Sequence, residues 1–169
     1  MSLKKNKEII APEDLERAVN SVINHMNDID NLYPVQMTLL RALLGKDNIF
    51  FTSPTNSGKT LPVLIFPYIV EKLSEMGYPT QGGKVLFVTP LNSIKMSMIS
   101  NARMMGISCE GLTSKNYAAL LESSDIKVLF VSPEVLKISA VSTALLAHRK
   151  DFGLKCIDEV HLGMLSIYK

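Results

Sequence analysis

The chain has 169 residues, enough for one domain with a hydrophobic core, and 47% of them are hydrophobic and 20% charged. A net charge of +2 is too small to argue by itself for a nucleic-acid partner. Two cysteines, Cys109 and Cys156, stand far apart without CxxC spacing, which excludes a disulfide framework or a cysteine-rich zinc site and fits a reduced, intracellular setting.

The start, MSLKKNKEII, lacks an apolar signal core and carries a small basic arm at Lys4, Lys5 and Lys7. The longest apolar run, 61–70, is interrupted by Pro62 and Pro67 and is too short to span a bilayer. Leu15, Ala18, Val19, Val22, Ile23 and Met26 recur at three- and four-residue steps and predict a helix over 12–28. Its first turn holds Glu13 and Asp14, where the helix dipole favours them. A second helix is predicted over 35–44, stopped by Gly45.

Then the period changes. A short buried strand is predicted over 48–52, followed by the loop SPTNSGKT (53–60) and a helix over 58–76, with Pro62 in its first turn and Pro67 inside it. KVLFVT (84–89) is a second strand, 91–105 a helix ending at Gly106, 107–112 a short extended piece and 116–122 a short helix. KVLFVS (127–132) is another strand, Pro133 opens another helix, and LKCI (154–157) is a last strand ending in Asp158-Glu159. Strands that are continuous apolar runs, alternating with helices, predict an α/β fold in which a parallel sheet is covered by helices on both faces.

Ligands of such sheets sit beyond the carboxyl ends of the strands. Three stretches fall there: SPTNSGKT, TPL (89–91) and DEVH (158–161). In the first, Gly58-Lys59-Thr60 opens a helix after a strand. Backbone N–H groups at a helix N-terminus point at an anion, Lys59 can reach nucleotide phosphates, and Thr60 can place its hydroxyl on Mg²⁺. The strict phosphate-loop pattern has glycine where Ser53 stands. Asn56 also stands where glycine is common, and asparagine tolerates the left-handed backbone a tight loop needs. The alternative is a surface turn rich in Ser, Thr and Asn. Asp158 is a candidate Mg²⁺ ligand through its water shell, and Glu159 a candidate for orienting or deprotonating an attacking water; read alone, the pair is a solvated turn. Lys95 and Arg103 are candidates for phosphate contacts. His25 reads as a surface residue, His148 as a helix-end cation, both cysteines as small core residues, and the methionines, including Met96, Met98, Met104 and Met105, as core filling.

In combination these residues resemble the first motor lobe of superfamily 2 helicases, and within them the RecQ-like DNA helicases, over 31–161. LYPVQMTLLRALLGKDNIFFTSPTNSGKT resembles the RecQ entry block, FVTPLNSIKMSM its "SPL-SLM" segment, LFVSPEVL its "TPE" segment and IDEVH its DEAH box, with Val160 in place of alanine and Tyr33 where a basic residue is frequent. The resemblance implies a RecA-like P-loop lobe binding ATP and Mg²⁺. Gln36 would contact the adenine edge, and Thr55, Asn56, Ser57, Gly58, Lys59 and Thr60 the nucleotide. Thr60 and Asp158 would serve the metal, and Lys59 and Glu159 catalysis. His161 would couple the nucleotide site to a nucleic-acid surface formed by Thr89, Pro90, Leu91, Ser132, Pro133 and Glu134. The expected partner is nucleic acid, DNA before RNA, with no membrane. The expected location is intracellular, nuclear for a eukaryotic RecQ-like protein and otherwise cytoplasmic.

Residues 1–30 read as an arm and helix, and 31–169 as an incomplete lobe. From Leu162 onward the sequence departs from the family, which continues with an aromatic-rich loop containing tryptophan; this chain has no tryptophan. The second lobe, which the family uses to supply arginines worth roughly 10³-fold or more in rate, has no counterpart here. The expectation is weak ATP binding, poor hydrolysis and no unwinding by this chain alone. An RNA helicase lobe and a non-catalytic degenerate fragment remain the alternatives.

Overall fold

The structure, a computed structural model, describes residues 10–45, 49, 51, 58–80, 82–90 and 92–158. The elements in chain order are α1 (Pro12–Ile23), α2 (Pro34–Leu44), α3 (Thr60–Glu75), β1 (Lys84–Val88), α4 (Asn92–Met104), β2 (Cys109–Gly111), α5 (Tyr117–Glu122), β3 (Val128–Val131), α6 (Pro133–Leu136), α7 (Ser139–Ala147) and β4 (Phe152–Ile157).

Among the described residues four strands form one parallel sheet in the order β2-β3-β1-β4. Both faces are covered, as the unbroken apolar runs predict. Val85, Phe87, Val128 and Phe130 point into a core shared with Leu15 and Val19 of α1, Ile65 and Ile69 of α3, and Ile99 and Ala102 of α4. Their neighbours Leu86, Val88, Leu129 and Val131 point the other way, against Leu121 of α5 and Val141 and Leu145 of α7. The alternation of strand side chains thus splits KVLFV and VLFV between two cores.

Several boundaries differ from the sequence reading. α1 ends at Ile23 rather than Asp28, because the chain turns there and Asp28 takes a left-handed φ of 60°. The helix opened by Pro133 lasts one turn, and α7 starts afresh at Ser139. β4 begins at Phe152, whose ring enters the second core. Gly45 follows α2 with φ −68°, a right-handed cap, so its freedom at positive φ is not what ends the helix. Met96 and Met104 are exposed, whereas Met98 and Met105 pack on the core as expected. Within the predicted strand over 48–52, Ile49 and Phe51 are described and belong to none of the four strands; residues 48, 50 and 52, the basic arm and loop residues 53–57 lie outside the described residues.

Cys109 is buried and Cys156 half-buried. Burial raises the Cys109 thiol pKa and pushes that of Cys156 up to about 12. At pH 8 that leaves roughly one Cys156 thiolate in 10⁴. Iodoacetamide should therefore leave both thiols largely intact in the native protein and modify both in urea. Rapid native alkylation of Cys156 would contradict its placement. His25 is exposed, its ring on the Ser21 carbonyl at 2.7 Å. His148 follows α7, with Glu122 at 3.4 Å and Asp151 at 2.9 Å.

Candidate nucleotide and nucleic-acid site

The carboxyl ends of three adjacent strands define the site. Val88 pairs in register with Val131 on one side and Ile157 on the other. The next residues, Thr89, Ser132 and Asp158, therefore stand in a row, with about 5 Å between neighbouring strands. Backbone bonds fix the row: Thr89 N–H donates to Val131 O at 3.0 Å, and Asp158 N–H to Val88 O at 2.9 Å. By alternation all three continue the parity of Phe87, Phe130 and Cys156, toward the face that α3 and α4 cover.

α3 brings the end of the loop to the same edge. Its C-terminal half lies by the amino ends of the strands, where Glu71 meets Lys127 at 3.3 Å and Tyr68 Oη accepts from Ser108 N–H at 2.8 Å. A 16-residue helix spans about 24 Å, so Thr60 lies at the opposite, carboxyl edge. Lys59 and Thr60 are half-exposed there, and Gly58 is exposed with φ +67°. A Cβ on Gly58 would stand 2.4 Å from Gln36 Nε2.

Gln36 is the hinge of this corner. It is 3% exposed. Its Oε1 accepts the Tyr33 N–H at 2.8 Å, satisfying a free donor at the start of α2. Its Nε2 donates to the Gly58 carbonyl at 3.0 Å. The amide that the resemblance assigns to adenine thus holds the start of α2 through its oxygen and Gly58 through its nitrogen. Each amide end keeps capacity for one further hydrogen bond. Gln36→Ala should lower both thermal stability and nucleotide affinity, at a cost of about 1–3 kcal/mol for the groups left unpaired. Calorimetric ATP titration beside thermal melts checks this; affinity lost with stability unchanged would mean that Gln36 serves only the base.

The nucleic-acid segments divide. Thr89 (1% exposed), Ser132 (4%) and Pro133 are buried, whereas Pro90 is half-buried and Glu134 exposed. The Glu134 carboxyl is held below the usual carboxylate range by its own backbone N–H and the Ser132 hydroxyl, with Lys137 and Lys95 adding to the effect. Thr89 and Ser132 therefore brace the edge, while Pro90 and Glu134 reach its surface. Arg103 is not at this edge. It lies in the last turn of α4, paired with Glu110 and donating to Cys109 O at 3.4 Å, so its expected phosphate role gives way to fastening α4 to β2. Leu91, Thr55, Asn56, Ser57, Glu159 and His161 lie outside the described residues.

The residues present suit a nucleoside triphosphate. A glycine at positive φ leads into a lysine and a threonine at the head of a helix, and Asp158 stands at the neighbouring strand end. Among the described residues no group of three or more His, Cys, Asp or Glu could hold a metal on its own. No helix among the described residues is long and apolar enough to cross a membrane.

This arrangement, a parallel α/β sheet with Gly58, Lys59 and Thr60 at the head of a helix and a carboxylate at its carboxyl edge, is that of a RecA-like lobe. Residues 33–165 match the DEAD/DEAH box helicase family, and the chain belongs to that family. No curated protein sequence matches it. Among solved structures it is similar to the DUF1998 helicase MrfA, at 20% identity and a TM-score of 0.45, over 86% of this chain and 22% of that one. The chain thus spans about a fifth of that protein's length.

Proposed function

We propose that this chain is the ATP-binding lobe of an ATP-dependent 3′-to-5′ DNA helicase of the RecQ-like kind, binding Mg-ATP and a nucleic-acid strand along the carboxyl edge of its sheet. The observation that carries the nucleotide half is the bond from the Gln36 amide to Gly58 O, which ties the PVQ block to the GKT loop. The RecQ-like half is supported by the form of the PVQ block and of IDEVH in a chain that belongs to the DEAD/DEAH box family.

In this reading the first turn of α3 and Lys59 hold the phosphates, and Thr60 and Asp158 orient the Mg²⁺ shell. The bound triphosphate supplies the free energy of phosphoanhydride hydrolysis. Glu159 orients water, Pro90, Leu91 and Glu134 face the strand, and His161 couples the two sites.

Competition between labelled single-stranded DNA and RNA of the same sequence tests the choice of strand. DNA should compete at least as well as RNA. Displacement by RNA at much lower concentration, dependent on its 2′-hydroxyls, would replace the DNA reading with an RNA helicase lobe.

A further inference from the structure

The amino edge of the sheet carries a cleft that the site described above does not use. Lys84 opens β1 and Lys127 directly precedes β3, and the two run side by side, with Val85 N–H donating to Lys127 O at 2.9 Å. Thr89, at the carboxyl edge, stands five residues further along, about 17 Å away. The turn after α7 brings Lys150 and Asp151 to the amino edge, where Lys84 N–H donates to Asp151 O at 3.0 Å. With Gly82, Gly83 and Ser124 these residues line a cleft of about 410 Å³. No apolar side chain lines it, so it suits a charged group and offers nothing to a hydrophobic one.

Part of the lining is backbone. Gly82 has φ +59°, and a Cβ there would stand 2.4 Å from Gly153 N in β4, so only glycine lets the chain lie this close. A Cβ on Gly83 would meet nothing within 4 Å, which marks the open side. Among the described residues neither glycine's N–H meets an acceptor.

The nearby carboxylates are already engaged. Glu71 meets Lys127 at 3.3 Å, and Asp151 and Glu122 flank the His148 ring at 2.9 and 3.4 Å. In the adjoining cleft, which shares Gly82, Gly83 and Lys127, Glu75 meets Lys72 at 2.7 Å. Lys84 and Lys150 have no ion-pair partner among the described residues. Lys84 is half-buried and donates one of its three N–H groups to Leu121 O at 2.9 Å, which holds its stem and leaves two donors. Burial holds its pKa below the usual lysine range; Asp151 and Glu122 oppose that shift and Lys127 adds to it.

We infer that this cleft is a second anion site, which takes a compact phosphate anion between Lys84 and Lys150. A phosphate group brings several strong acceptor oxygens and about two negative charges in a small volume. That matches two unpaired ammonium groups and the backbone donors of Gly82 and Gly83. The cleft lies on the opposite edge from the GKT corner, so a nucleotide at the head of α3 leaves it open.

The test is calorimetric titration of inorganic pyrophosphate into the Lys59→Ala chain, which lacks the GKT lysine, and into the same chain with Lys84→Met, Lys150→Glu or Lys115→Glu added. Circular dichroism checks the folding of each. Lys59→Ala alone should bind pyrophosphate. Lys84→Met and Lys150→Glu should each weaken that binding about tenfold or more, the equivalent of a lost charged hydrogen bond. Lys115→Glu makes the same charge change as Lys150→Glu at an exposed position beyond the carboxyl end of β2, and should bind as its parent does. Displacement of pyrophosphate by glycerol 3-phosphate would extend the site to phosphate esters, and failure to displace it would restrict the site to the free anion. No binding by the folded Lys59→Ala chain would overturn the inference. Equal weakening by Lys150→Glu and Lys115→Glu would reduce the effect to net charge and overturn it too, as would undiminished binding in Lys150→Glu. Should Lys84→Met fail to fold, the exposed Lys150 decides alone. None of these results depends on Mg-ATP at α3, so the nucleotide reading stands or falls separately.

Discussion

Gly58→Ala is expected to weaken Mg-ATP binding by at least about tenfold, equivalent to 1.4 kcal/mol. Gly58 has φ +67°, where a side chain costs about 1–2 kcal/mol. The new methyl would stand 2.4 Å from Gln36 Nε2. A flexible side chain on the surface would swing away, but this one is buried and held at both ends. Either the loop gives up its backbone conformation or Gln36 gives up its bond to Gly58 O. Both outcomes misplace Lys59 and Thr60 relative to a triphosphate. Equilibrium binding of a fluorescent ATP analogue, with circular dichroism to confirm folding, reads the effect. Wild-type affinity in Gly58→Ala would mean that the left-handed turn at Gly58 has no part in binding.

Phe130→Ala carries the largest expected loss of stability, about 3–5 kcal/mol for removing a buried phenyl group. Phe130 is fully buried in β3 between the strands on either side, and its ring packs on Phe87 with centroids 5.2 Å apart at 42°. It lies in the core where α1, α3 and α4 meet the sheet, so no single helix can close the cavity by moving. A domain with a total stability of about 5–15 kcal/mol would lose much of it. Urea unfolding should show a markedly lower midpoint at a similar slope. Leu146→Ala, at an exposed position on α7, should change stability by about 0.5 kcal/mol or less. A loss below about 1 kcal/mol for Phe130→Ala would contradict the packing of that face.

The centre of the sheet was legible because β1 and β3 are buried on both faces, so KVLFV and VLFV read as unbroken apolar runs in the sequence. The helices were legible from their apolar spacing, and their ends less so. α1 stops at a turn that no glycine or proline announces, and the chain after Pro133 breaks into two helices at Lys137 and Ile138, which carry no breaker residue. The row of Thr89, Ser132 and Asp158 was accessible as strand-end residues, but their common register needed the pairing of Val88 with both neighbours. The tie of Gln36 to Gly58 was not legible, since it joins residues 22 apart and depends on where α2 packs. Lys95 is in phase with the core residues Ile99 and Ala102, and its burial was not legible from its charge. Arg103 had the same charge and a different fate, because α4 carries it to the far edge of the sheet.

Calorimetric titration of Mg-ATP into the wild-type chain and Lys59→Ala tests most directly whether a nucleotide is held at the head of α3. Measurable binding by the wild type, abolished in a Lys59→Ala protein whose circular dichroism is unchanged, is the predicted result. Equal binding by both folded proteins, or none by the folded wild type, would contradict it.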